Sequence, residues 1–166
     1  MGDLTGEADF DEAFTVLYPR ARSVALRILG SVPEAEDVAS EAMARALVRW
    51  RRVGGMPHRD AWVLRVTANL AIDAVRRRRS QPAAHEIHDG EEDASVLRLA
   101  LVTALRALPR RQREAIVLRH LAGLPEREVA ASLGVSSNTV KKHLQRGLGT
   151  LRTHITREEE DLLDIG

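Results

Sequence analysis

Cysteine is absent from this 166-residue chain, which excludes disulfides and cysteine-ligated zinc and suits a reducing compartment. Aromatic residues are scarce at 3%, and the β-branched and aromatic runs that build sheets are missing. The 44% of hydrophobic residues, mostly Leu, Val and Ala, therefore points to helical cores. No run of about 18 apolar residues occurs, and the N-terminus lacks a basic start followed by an apolar stretch, so neither membrane insertion nor export is expected. Phosphate loops, nucleophile elbows and paired-carboxylate clefts are also missing, so no enzyme chemistry, cofactor or metal is expected.

A strong net charge is missing too, but the formal +1 conceals segregation. Residues 1–12 carry five acids and no base, residues 80–97 carry five acids and no Lys or Arg, and the tail from Glu158 carries five more. Between them, residues 13–79 hold 13 Arg against 6 acids (+7), and residues 98–157 hold 12 Lys or Arg against 3 acids (+9). Two basic bodies with acidic connectors steer toward phosphates even when the total nearly cancels.

The stretch from Ser80 to Asp93 has no hydrophobic period and contains Pro82, Gly90 and an acid run, so it reads as a linker. His85, Glu86, His88 and Asp89 fall inside it and read as solvated linker rather than a metal site, with no outer shell to orient ligands. Upstream, a helix is expected from Phe10 to Leu29, closed by Gly30, and Ser31–Glu34 has the form of a capping box. The next helix places Ala35, Val38, Ala39, Ala42, Met43, Ala46, Leu47 and Trp50 on one apolar face. Gly54-Gly55-Met56-Pro57 breaks the chain, and a helix from about Asp60 to Arg79 follows. That helix is apolar nearly all round except for a stripe of Arg65, Asn69, Asp73 and Arg76, and it ends in four arginines that suit phosphate contact. Trp50 and Trp62 sit in apolar patterns and read as core.

Downstream, four helices are expected: one marked by Leu97 to Leu108, Arg110–Ala122, Pro125–Leu133, and one capped by Ser136. The last two, joined through Gly134-Val135-Ser136, have the form of a helix-turn-helix whose second helix enters the major groove. Val140, Leu144, Leu148 and Leu151 are expected to point inward. Asn138, Lys141, Lys142, Gln145, Gly149 and Arg152 are expected to point outward, and most of these are the amide and cationic types that contact base edges and phosphates.

The upstream helix Ala35-Glu36-Asp37-Val38-Ala39-Ser40-Glu41-Ala42-Met43-Ala44-Arg45-Ala46-Leu47 resembles the region 2 helix of bacterial RNA polymerase sigma factors. Trp62 to Arg79 resembles their promoter-reading helix, and Ala104–Pro109, Arg113–Ile116 and the helix-turn-helix resemble region 4. In this order and spacing, over roughly residues 10–155, the chain is similar to the extracytoplasmic-function (group IV) sigma factors. The resemblance implies an all-α protein with an acidic extension (1–9), region 2 (10–79), a flexible acidic linker (80–96), region 4 (97–156) and an acidic tail (157–166).

It further implies core RNA polymerase and promoter DNA as partners in the cytoplasm and nucleoid, together with a cognate anti-sigma protein. Asp37, Glu41, Arg45 and Arg49 would dock on the β′ clamp, and the surface near Arg110–Arg119 would face the β flap. The Val53–Asp60 loop corresponds to the segment that captures a flipped base of the −10 element. Arg65, Asn69, Arg76 and Arg77 would contact the −10 region. Ser137, Asn138, Lys141, Lys142, Gln145 and Arg146 would read the −35 element.

Seventeen linker residues (80–96) extend to at most about 60 Å. Elements roughly 25 bp apart lie about 85 Å apart along B-DNA. Allowing about 30 Å for the domain bodies leaves an almost taut connector, so the free chain is expected to bind promoter weakly and polymerase to hold the linker stretched. Pro125 stands where the family usually has Ser or Thr, which removes a side-chain cap. The rival reading is a LuxR-type regulator, which binds operators without polymerase.

Overall fold

Gly and Pro punctuation divides the chain into eight α-helices and one π-helical turn in a computed structural model describing residues 4–80 and 91–163. No strand occurs among the described residues, as the all-helical expectation required. Helix α1 (Leu4–Leu29) ends at Gly30, whose N–H still bonds the Leu26 carbonyl at 2.8 Å while its φ of 69° turns the chain out of the helix. Helix α2 (Val32–Val48) starts after Ser31, but the expected capping box does not form. The Ser31 side chain makes no cap bond, and Glu34 pairs instead with Arg78 of α4. A cation within reach outcompetes a single backbone N–H for a carboxylate.

Helix α3 (Trp50–Val53) and α4 (Arg59–Ser80) complete the first body. Leu17 and Ile28 of α1, Ala42 and Met43 of α2, and Val63 and Leu64 of α4 are fully buried there. Trp50 joins this core as expected, with Phe10 edge-on at 5.0 Å and Arg59 over its ring at 5.6 Å. Trp62 is only partly buried. Leu47, expected inside, is 50% exposed because Ala46 and Trp50 take the inward positions; Val48 beside it is 83% exposed. Arg20 and Asp60, 2.7 Å apart, tie α1 to the start of α4.

The second body comprises α5 (Glu91–Ala107), α6 (Arg110–Ile116), the π turn (Val117–Leu121), α7 (Glu126–Leu133) and α8 (Ser137–Leu163). The expected single helix from Arg110 to Ala122 thus changes winding halfway, and the Ala122 N–H bonds the Val117 carbonyl five residues back. Leu148, expected inside, is 41% exposed. Gly147 takes its place, close against Ile116 and Gln112 of α6. The inward row on α8 is therefore Val140, Leu144, Gly147 and Leu151.

Helix α5 begins at Glu91, six residues before the expected start at Leu97, and α8 runs on to Leu163. Residues 81–90, which include most of the expected linker and both of its histidines, lie outside the described residues.

The two bodies share one hydrophobic cluster, running from Ile28, Leu64 and Ile72 to Leu105, Leu118 and Val129. At the seam, Arg27 of α1 donates to the Leu121 carbonyl, and Arg65 of α4 lies 3.7 Å from the Glu114 carboxylate of α6.

The two glycines of α8 should respond oppositely to substitution. Gly149 has open space around it, so Gly149→Ala should raise stability by up to about 1 kcal/mol through helix propensity. Gly147→Leu should lower it by about 1–3 kcal/mol by overpacking against Ile116. Urea denaturation of both variants checks the pair.

Candidate nucleic-acid interface

The tight turn between α7 and α8 is built by Gly134, whose φ of 67° is left-handed. Its N–H bonds Ala131 and the following Val135 N–H bonds Ala130, a Schellman arrangement that ends α7 after Leu133. Ser136 then caps α8: its Oγ accepts the Thr139 N–H at 3.1 Å and shares a 2.9 Å hydrogen bond with the Thr139 hydroxyl. Pro125 precedes α7 without any side-chain cap, and Glu126 and Glu128 in the first turn complement the helix dipole instead.

Val129, Ala130 and Leu133 of α7 meet Val140 and Leu144 of α8 in the buried cluster. With that face committed, Ser137, Asn138, Lys141, Lys142, Gln145 and Arg146 all stand exposed, as do Gly149 and Arg152. The result is a row of amide donors, amide acceptors and cations along one side of a rigid helix, able to contact base edges and phosphates.

On α4, burial of Ala61, Leu64, Ala68, Ala71, Ile72 and Val75 leaves Asn69, Asp73, Arg76 and Arg77 exposed. Thr67 is fully buried but satisfied by donating to the Val63 carbonyl at 2.9 Å. Arg65 stands apart from the rest of the stripe because Glu114 draws it toward the second body. Arg78 is turned to Glu34, and its guanidinium sits below its ordinary value through partial burial and the like charge of Arg98. The expected polar stripe is therefore split, with its first member at the seam and the others open.

The loop between α3 and α4 is held by the Arg59 guanidinium, which donates to the Gly54 carbonyl at 3.4 Å and faces Asp9 at 3.5 Å. A cavity of about 210 Å³ opens beside it, lined by Met56, Pro57, Trp62 and Arg65 on one side and by Leu118 and Ser132 on the other.

On α2, Asp37, Glu41, Arg45 and Arg49 are all exposed on one side, with Glu41 and Arg45 paired at 2.8 Å. Leu47 and Val48 add an apolar edge to this surface that helical periodicity did not reveal, since Leu47 fits the buried pattern and Val48 fits none.

Two basic helical bodies, one ending in a capped helix-turn-helix and the other carrying a mostly buried helix with a polar stripe, are the architecture of a DNA-binding protein. Residues 13–81 match the model for sigma-70 region 2, and residues 98–151 match that for sigma-70 region 4. The RNA polymerase sigma-E factor of Streptomyces coelicolor is 30% identical over 154 residues, covering 87% of each chain. The extracytoplasmic-function sigma factor SigW of Bacillus subtilis is 29% identical, covering 90% of this chain and 91% of that one. The solved structure of CnrH in complex with the cytosolic domain of CnrY shares the fold, with a TM-score of 0.54 and 23% identity, over 89% of this chain and 88% of that one. The chain belongs to the extracytoplasmic-function sigma factors of the sigma-70 family. It is a transcription initiation factor that directs core RNA polymerase to promoters, and the LuxR-type reading is not favoured.

Ser136→Ala should remove the side-chain cap at the start of α8 and cost about 1 kcal/mol. A thermal melt checks the loss of stability, and a Ser136→Thr variant should keep most of it.

Proposed function

We propose that promoter choice is divided between two rows of side chains, with no chemistry contributed by the chain itself. On α8, Gln145 and Asn138 contact base edges of the −35 element, while Lys141, Lys142 and Arg146 neutralise phosphates and Ser137 anchors the helix start. The observation that supports this is the capped, rigid α8 with all six side chains exposed together. On α4, Asn69 contacts the −10 element near its unpaired base, and Arg65, Arg76 and Arg77 follow the adjoining backbone. The Val53–Asp60 loop beside Trp62 receives that base. Unstacking a base costs a few kcal/mol, least in easily opened DNA. With Trp50 committed to the core and Trp62 the one tryptophan at the loop cavity, the chain selects weak duplex rather than forcing strong duplex apart.

Asp37, Glu41, Arg45 and Arg49 form the docking surface for the β′ clamp, extended by the apolar edge of Leu47 and Val48. The surface of Arg110–Arg119 faces the β flap. The chain works in the cytoplasm at the nucleoid, where polymerase and promoter meet. A cognate anti-sigma protein follows from family membership alone.

In a run-off assay, core polymerase with this chain should initiate at specific promoters and core alone should not; repression or no effect would support the stand-alone regulator. Gln145→Ala should cost about 1–3 kcal/mol and relax the preference at one −35 base pair. Lys142→Ala should weaken binding uniformly across sequences and reduce the slope of log K against log salt by about 1. Holoenzyme binding to a promoter library at two salt concentrations separates these outcomes.

A further inference from the structure

No residue from Gly54 to Asp60 is buried, so packing into the core does not by itself fix the shape of the loop between α3 and α4. Three hydrogen bonds turn its backbone: Gly54 N–H to the Trp50 carbonyl (2.8 Å), Met56 N–H to the Val53 carbonyl (3.0 Å) and Arg59 N–H to the Met56 carbonyl (3.3 Å). The side-chain contacts that brace it converge on Arg59. Its Nη1 lies 3.4 Å from the Gly54 carbonyl oxygen and 3.5 Å from the Asp9 carboxylate, and its Nε lies 3.9 Å from Asp60. The same guanidinium covers the Trp50 ring at 5.6 Å, and Phe10 seats that ring edge-on at 5.0 Å. Gly54 is flush with the indole, since a Cβ there would come within 2.8 Å of it. Asp9 precedes residue 13, where the match to region 2 begins, so part of this brace comes from outside the shared region.

We propose that Arg59 is a positioning residue for the base-receiving loop, and that Asp9, from the N-terminal turns of α1, acts through it to set which −10 base the loop accepts. The inference rests on the assignment of the Val53–Asp60 loop to that base.

Arginine suits the role because its planar fork meets a carbonyl, a carboxylate and an aromatic face at once. An ammonium would keep the charge and lose the geometry. Met56, Pro57 and His58 form the loop wall of the cavity. Arg59 ties both ends of that wall, the Gly54 carbonyl on one side and the start of α4 on the other. Discrimination between bases needs contact groups held within about 0.5 Å. A loosened loop still receives a base but no longer rejects the wrong one. Asp9 and Arg59 are both partly exposed, and such a pair contributes little to overall stability. Removing it therefore relaxes the loop without unfolding the body, whose core keeps Leu17, Met43 and Val63.

Holoenzyme assembled from core polymerase and the full-length chain, bound to a promoter library randomised across both elements, reads the base preference at each position. Arg59→Ala should flatten the preference at the captured −10 position by about tenfold, and Asp9→Ala by about threefold, while the −35 preferences keep their pattern. Asp9→Glu, which keeps the carboxylate, should retain the preference, and Arg59→Lys should behave as Arg59→Ala does. If Arg59 instead gripped a promoter phosphate, the loss in Arg59→Ala would be uniform across sequences and Arg59→Lys would restore binding; that result overturns the proposal. Circular dichroism of each variant confirms that the helices persist, and Asp9→Ala, an exposed change, carries the test if Arg59→Ala fails to fold. Met56→Ala, inside the loop, distinguishes loss of the brace from loss of the loop assignment. An altered −10 profile in Met56→Ala beside unchanged profiles in Arg59→Ala and Asp9→Ala overturns the brace and leaves the loop as receiver. Unchanged profiles in all three overturn the loop assignment and the brace with it.

Discussion

Helix α4 is packed on from several directions at once, and that constraint organises the rest of the chain. Its inner side is sealed by α1 and α2, while α5, α7 and the π turn approach it from the second body. Such a helix must be apolar around most of its circumference, and Ala61, Val63, Leu64, Ala68, Ala71, Ile72 and Val75 meet that demand. What remains is a narrow polar strip of Asn69, Asp73, Arg76 and Arg77, exposed on a helix that elements of both bodies pack against.

The separation of charge follows the same logic. The stretches 13–79 (+7) and 98–157 (+9) would repel each other if nothing else acted, yet they pack through a common apolar cluster. Acidic groups pair with cations at selected points: Glu34 with Arg78, Glu36 with Arg22 and Asp60 with Arg20 inside the first body, and Glu114 with Arg110, Arg111 and, across the seam, Arg65. The exposed cations Arg76, Arg77, Lys141, Lys142 and Arg146 on the outer sides of α4 and α8 are of the type that neutralises phosphates, and the amides Asn69, Asn138 and Gln145 beside them are of the type that reads base edges.

Much of this was legible in the order of residues. The helix-turn-helix was readable because Gly134 is required by a left-handed turn and Ser136 by a cap, and both signals are local. Helix α2 followed from unbroken three-and-four spacing of small and aliphatic residues, α1 from a looser helical pattern closed by Gly30, and α4 from an apolar surface nearly all round with one polar stripe. The errors came where a decision depended on a partner distant in sequence. Glu34 reads as a capping residue until Arg78 folds next to it. Leu148 fits the inward period of α8 as well as Gly147 does, and only the close approach of α6 decides for the glycine. Leu47 lost its buried position to Ala46 and Trp50 for the same kind of reason. The change to a π turn at Val117 and the early start of α5 at Glu91 carried no local signal. The contact between Arg65 and Glu114 joins residues far apart in sequence, and no periodicity records it.

The central claim is that α4 and α8 of one chain occupy two separate stretches of the same promoter when polymerase holds them. Cutting of promoter DNA by iron chelates tethered at Asn69→Cys and at Gln145→Cys, each assembled into holoenzyme, tests it most directly. Two clusters of cuts should appear roughly 25 bp apart, about 85 Å along the duplex, with the α4 probe on the side nearer the transcription start. Cuts from both probes within a single short stretch would contradict the account.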